Sequence, residues 1–149
     1  MSDKVNKDED HGTVRVLVYG TLKNGHSNYY LMENANAKFI GYDSITDRHE
    51  LFDLGAIPAV VHSANADVHK IRGELYSINT EGLAALDMLE GHPTLYKRTK
   101  HFTDVENKRA WVYRLVSKRF RGEHAPKIPS GIWKGSQEEN KFWLKAKSA

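Results

Sequence analysis

Two features of the sequence could do chemistry together. The first is the run Tyr19-Gly20-Thr21-Leu22-Lys23-Asn24-Gly25, directly after an apolar stretch. Successive backbone N–H groups in such a turn can face one way and hold a carboxylate or an oxyanion. The glycine spacing is neither that of a P-loop nor that of a dinucleotide fingerprint. A plain tight turn is the blander reading, and the residues alone leave both open. The second feature is Glu90, four residues after Leu86 on the shoulder of an apolar stripe. A carboxylate placed there loses water, which raises its pKa toward the range where it exchanges protons near neutrality. The competing reading is a helix-terminal Glu turned to solvent, at the unfavourable end of the helix dipole.

Other chemistries find less support. Asp87 and Glu90 stand three apart and could pair, although Asp87 also reads as a solvated or structural neighbour. Glu74, beside Gly73 in a strand, could line a cleft but reads more simply as facing water. The eight histidines are dispersed, with no HExxH and no ligand spacing at His49 or His101, so no metal is expected. No G-x-S-x-G occurs. The absence of cysteine excludes disulfides, thiolate metal sites and thiol nucleophiles. Carboxylate acid–base chemistry beside a backbone anion nest is what remains.

The elements that must position these groups follow from local pattern. Residues 14–19 read as a β-branched strand ended by Gly20. Ser27 could cap a short helix through Asn34. Short strands are expected at 39–42, 49–54 and 59–62, with a break at Gly55-Ala56-Ile57-Pro58. Residues 68–78 read as a long strand with Gly73 in its middle, a sign of a bulge or a close backbone approach. The clearest helix spans 81–90. Asn79 or Thr80 can cap it, Leu83, Leu86 and Leu89 form its stripe, and Gly91 and Pro93 stop it. Strands at 96–102 and 109–116 complete the set. The expected fold is α+β: a mixed, largely antiparallel, barrel-like sheet with one main helix and short flanking helices.

A chain of 149 residues with 40% hydrophobic and 28% charged residues is sized and composed for one globular domain. The longest apolar stretch, 56–61, is far short of a membrane span. Residues 1–12 are polar throughout and read as a disordered segment rather than a signal peptide. Together with the missing cysteines this points to the cytoplasm. Residues 13–116 balance 12 basic against 12 acidic residues, whereas 117–149 hold eight basic against three acidic ones. The excess positive charge therefore belongs to a C-terminal extension. Its basic residues are spaced out and carry no nucleic-acid-binding motif, so nucleic acid is not the expected partner. Trp133 and Trp143 are read as pinning part of this extension to the core, because Trp is costly to leave exposed.

Four blocks in order resemble the γ-glutamylcyclotransferase-like family, in its γ-glutamylamine cyclotransferase and AIG2-like branch. Val18-Tyr19-Gly20-Thr21-Leu22-Lys23-x-Gly25 resembles the family's signature loop, and Arg72-Gly73-Glu74-Leu75-Tyr76 resembles its G-E-[VL]-[YW] strand. Leu86-Asp87-x-Leu89-Glu90-Gly91-x-Pro93-x-x-Tyr96-x-Arg98 is similar to its catalytic helix end, and Trp111-Val112-Tyr113 to its closing strand. The likeness covers residues 14–116. Thr21 stands where the glutathione-specific branch typically has Ser, which argues against that branch.

The resemblance implies a lactam-forming reaction. The α-amine of a γ-glutamyl compound attacks its own γ-carbonyl, giving 5-oxoproline and a free amine or amino acid. Glu90 would be the general base and acid. Tyr19, Gly20, Thr21 and Leu22 would hold the substrate, Tyr96 and Tyr113 would line its pocket, and Gly55 and Ile57 would form the rim. No metal or organic cofactor is implied, and the expected assembly is a monomer or homodimer. The competing function is a non-catalytic module that binds an anionic partner through the loop and the basic extension. A third reading applies the same chemistry to a γ-glutamyl-modified natural product or polymer.

Overall fold

A computed structural model of the chain describes residues 12–54, 57–62, 68–116 and 125–134. The elements run β1 (Thr13–Val18), α1 (Tyr30–Asn34), β2 (Lys38–Asp47), β3 (His49–Asp53), β4 (Pro58–His62), β5 (His69–Asn79), α2 (Thr80–Glu90), β6 (Tyr96–Phe102) and β7 (Arg109–Leu115). Alternation within β1 organises the core. Val14, Val16 and Val18 join Tyr76, Ile78, Leu83 and Leu86 on one side. Leu17 and Tyr19 join Ile45, Ile71, Leu75 and Val112 on the other. A strand buried on both faces must be apolar nearly throughout, which is what the TVRVLV run supplies.

The main sheet has the order β2-β5-β1-β7-β6. All its pairings are antiparallel except β1 with β7, where Val16 lies opposite Trp111. The fold is α+β and largely antiparallel, as the sequence suggests. Among the described residues the sheet does not close into a barrel: β2 and β6 end it on either side, and β3 and β4 pair with each other as a separate hairpin. Leu51 and Val60 of that hairpin pack into the second core cluster.

Three local expectations differ in extent. β2 is ten residues long rather than four, with an irregularity between Phe39 and Gly41. Its second half, DSITD, is too polar to announce a strand but pairs in full register with β5. The helix expected from Ser27 begins only at Tyr30 and has no side-chain cap; residues 26–29 are turns, with Tyr29 N–H donating to the His26 carbonyl at 3.2 Å. In α2, Leu83 and Leu86 are buried, but Leu89 is 38% exposed. Gly73 does mark a close approach, since a Cβ there would run into the Val18 carbonyl.

Asn79 caps α2 by accepting from the Gly82 N–H at 2.7 Å, and the helix stops at Gly91, whose φ is 64°. Residues 125–134 lie along β3 and β5. Asp53 N–H donates to Pro126 O, Ile128 N–H to Leu51 O and Arg72 N–H to Gly131 O, each at 2.8 Å. Trp133 is buried, and its Nε1 donates to Asp53 Oδ1 at 3.1 Å. Trp143 and residues 1–11 lie outside the described residues. Among the described residues no helix is long and apolar enough to cross a membrane.

Candidate active site

The loop after β1 is held from inside and from behind. Lys23 N–H donates to Gly20 O at 3.0 Å, and Asn28 N–H to Thr21 O at 2.9 Å. The Asn28 side chain donates to Thr21 Oγ1 at 2.8 Å. Behind the loop, Glu74 Oε1 accepts from Asn24 N–H at 2.9 Å and from the Tyr76 hydroxyl at 2.8 Å. Glu74 is buried, so the expectation that it faces water is overturned: its carboxylate is the post to which the loop is tied. Among the described residues the N–H groups of Gly20, Thr21 and Leu22 have no backbone acceptor. They are thus available to an anion. Gly20 leaves no room for a side chain, because a Cβ would lie 2.6 Å from Pro58 Cγ.

A cavity of about 190 Å³ opens beside this loop. Tyr19, Gly20, Thr21, Leu22, Ile57, Glu90, Tyr96 and Tyr113 all line it, drawn from β1 and its loop, the start of β4, the end of α2, β6 and β7. Gly55 lies outside the described residues. Asn28, Pro58 and Leu89 also line the cavity. Pro58 is legible in sequence only as a chain break, Leu89 only as a core position, and Asn28 carries no local signal.

Glu90 is half-buried, and it borders the cavity. Protein packed around the carboxyl removes bulk water and pushes its pKa up to about 7, with no opposing hydrogen bond or cation among the described residues. Burial, reinforced by the Glu90 charge, also pushes the phenols of Tyr19, Tyr96 and Tyr113 well above the ordinary tyrosine range. They remain protonated, and their hydroxyls donate elsewhere: Tyr19 to Tyr113 O at 2.6 Å, Tyr96 to Pro58 O at 2.9 Å, Tyr113 to Asp87 Oδ1 at 2.6 Å.

A family model described as gamma-glutamyl cyclotransferase, AIG2-like, matches residues 16–135. The chain belongs to this family. The match runs past the 14–116 stretch of the sequence resemblance and takes in the described segment with Trp133. The gamma-glutamylcyclotransferase family protein YtfP of Escherichia coli is 36% identical over 100 residues, covering 67% of this chain and 80% of that protein. Its solution structure superimposes with a TM-score of 0.58 at 31% identity, over 80% of this chain and 96% of that one. An AIG2-like protein from Mus musculus shares the fold, with a TM-score of 0.69 at 24% identity over 87% of this chain and 99% of that one.

In this cyclotransferase-family chain, two carboxyls three residues apart on α2 have opposite environments. Burial works to raise Asp87, but hydrogen bonds from Arg98 and Tyr113 outweigh it and hold the carboxyl below its ordinary range. Arg98 grips Asp87 with two bonds, Nε to Oδ1 at 2.8 Å and Nη2 to Oδ2 at 3.1 Å, and lies 4.2 Å over the Trp111 ring. Asp87 is therefore a fixed anion that anchors the helix end to β6 and β7. Glu90 is left poised near neutrality. Their environments thus push the two neighbouring carboxyls apart, Asp87 below its ordinary range and Glu90 above it.

Proposed function

We propose that the chain catalyses γ-glutamyl cyclotransfer with Glu90 as its proton shuttle. The observation that carries the reading is the juxtaposition of two groups on one small cavity: a desolvated carboxyl with a pKa of about 7, and a loop with unclaimed N–H donors. An alkylammonium is not a nucleophile at neutral pH, so a base must take its proton. Glu90 takes a proton from the substrate's α-ammonium. The freed amine attacks the γ-carbonyl, forming the C–N bond of a five-membered ring. The N–H groups of Gly20, Thr21 and Leu22 hold the substrate carboxylate or the developing oxyanion. Glu90 gives this proton to the departing nitrogen as the original amide bond breaks, then takes the second proton that the attacking nitrogen sheds on becoming the lactam N–H and passes it to the released amine, which leaves as its ammonium. The products are 5-oxoproline and an amine or amino acid, and no water or cofactor enters the balance. Tyr19, Tyr96, Tyr113 and Ile57 act as walls that keep the substrate folded in its reactive shape, which is the main demand of a unimolecular closure. A polar chain of this chemistry suits the cytoplasm.

The test is a panel of γ-glutamyl amino acids, γ-glutamylamines, ε-(γ-glutamyl)lysine and glutathione, with 5-oxoproline measured by mass spectrometry. Turnover by the wild type and its loss in Glu90→Gln support the reading. Full turnover in the variant removes Glu90 from the mechanism. No product from any substrate shifts the weight to a larger γ-glutamyl compound or to the non-catalytic binding module.

A further inference from the structure

A second cluster of chemistry-bearing side chains lies outside this cavity's lining. His49 opens β3 and His62 closes β4, and the hairpin register sets them directly opposite each other, with ring centroids 5.3 Å apart. Asp47, at the end of β2, completes a group whose ligand atoms all lie within 4.8 Å of one another. His101 of β6 stands beside them. Its ring centroid is 5.5 Å from that of His49, and its Nδ1 is 3.8 Å from Asp47 Oδ2. We propose that Asp47, His49 and His62 bind a divalent transition cation, Zn²⁺ foremost, with His101 as the fourth ligand.

Two observations beyond proximity carry this. His49 is only 1% exposed, yet its Nδ1 has no hydrogen-bond partner among the described residues. Buried polar atoms are nearly always satisfied, so an unpaired ring nitrogen on a member of this cluster points to a missing partner. His101 Nε2 lies 2.7 Å from Thr99 Oγ1. With that nitrogen donating to Thr99, Nδ1 turns a lone pair toward the Asp47 carboxylate, an arrangement that a shared cation stabilises. Fixing a ligating imidazole through its other nitrogen is the usual outer-shell device. Asp47 supplies the anion, its carboxyl held low first by the Arg48 N–H at 2.7 Å. Arg114 is the opposing charge felt by His49 and His101. Three imidazoles and one carboxylate form a borderline donor set that suits tetrahedral Zn²⁺. Tetrahedral ligands sit about 3.3 Å apart, so the cluster must close slightly. His62 is exposed and Asp47 only half-buried, so neither side chain is packed on every side against that closure. The ion would join the hairpin to β2 and β6, and that same hairpin carries Pro58, a wall of the cavity.

The test uses the untagged full-length chain, stripped with chelator and titrated with Zn²⁺ by calorimetry and with Co²⁺ by visible absorption. The expected result is one Zn²⁺ per chain, intense tetrahedral Co²⁺ bands and a raised melting temperature on Zn²⁺ addition. His62→Ala, at an exposed position, is expected to lower Zn²⁺ affinity at least tenfold while leaving metal-free melting and far-ultraviolet dichroism unchanged. Asp47→Asn, which keeps the side-chain shape, is expected to lower affinity likewise. No saturable Zn²⁺ binding, or binding that neither variant weakens, overturns the proposal. A weak octahedral Co²⁺ spectrum overturns the four-ligand arrangement.

Discussion

Replacing Glu90 with Gln should make the protein more stable, and only above acidic pH. The folded chain holds the Glu90 carboxyl at about 7, against 4.5 for the free side chain. At about 1.4 kcal/mol for each pH unit, the difference sets a ceiling of about 3 kcal/mol. Water reaching the half-buried carboxyl through the cavity reduces this to about 2 kcal/mol. The sign follows from proton binding. Below pH 4.5 Glu90 is protonated whether the chain is folded or not, and it costs nothing. Between 4.5 and about 7 the unfolded chain releases the proton and the folded chain keeps it, so stability falls as pH rises. Above that window both states are ionised and the full penalty stands. Gln never ionises and escapes it.

The assay is equilibrium urea unfolding of both proteins at pH 4, 6 and 8, followed by tryptophan fluorescence. The two should match at pH 4 and diverge steadily to about 2 kcal/mol in favour of the variant at pH 8. For a chain of this size that is roughly 4–8 °C in melting temperature. All other titrations cancel in the difference. A gain that is the same at every pH, or no gain at pH 8, refutes the desolvated carboxyl. The experiment needs no substrate, so it tests the physical state of Glu90 separately from its proposed role. A variant that is stabler and inactive has the signature of a group held in place at the expense of the fold.

Three further outcomes are expected. The rate of 5-oxoproline release at low substrate should rise about tenfold per pH unit up to about 7 and level off above it, whereas a limb centred near 4.5 would place the base in solvent. Gly20→Ala should destabilise by about 1–3 kcal/mol in thermal or urea unfolding and lower kcat/KM, because the new methyl meets Pro58. Asp87→Asn should cost about 2 kcal/mol near neutral pH by breaking the Arg98 grip. That loss should shrink in unfolding experiments as pH falls below 3.8, since a carboxyl held low stabilises only while it is ionised.

What could be read from the sequence was whatever is written within a few residues. β1 announces itself by its apolar run, α2 by a cap, a stripe and a stop, and Glu90 by its place four residues after Leu86. The second half of β2 could not be read, because its partners are distant. Asp43 accepts from the N–H groups of Val105 and Glu106, and Ser44 and Thr46 both donate to Asp104. Those contacts make a polar segment into a strand, and no window on the sequence contains them.

The same boundary runs through the site. Burial of Glu90 is one of two local readings, because helix geometry places it on the shoulder of the stripe but also at the helix end, where it could turn to solvent. That it has no partner among the described residues is not a local reading. Nearby Tyr113 could have donated to Glu90 and lowered its pKa, but that hydroxyl is taken by Asp87, which Arg98 fixes in turn. Glu74 likewise acquires its role from Asn24, fifty residues away in the chain, and not from its own strand. A carboxyl can thus be flagged as a candidate for desolvation from its neighbours in sequence. Whether it stays reactive is decided by which side chains across the fold are already occupied.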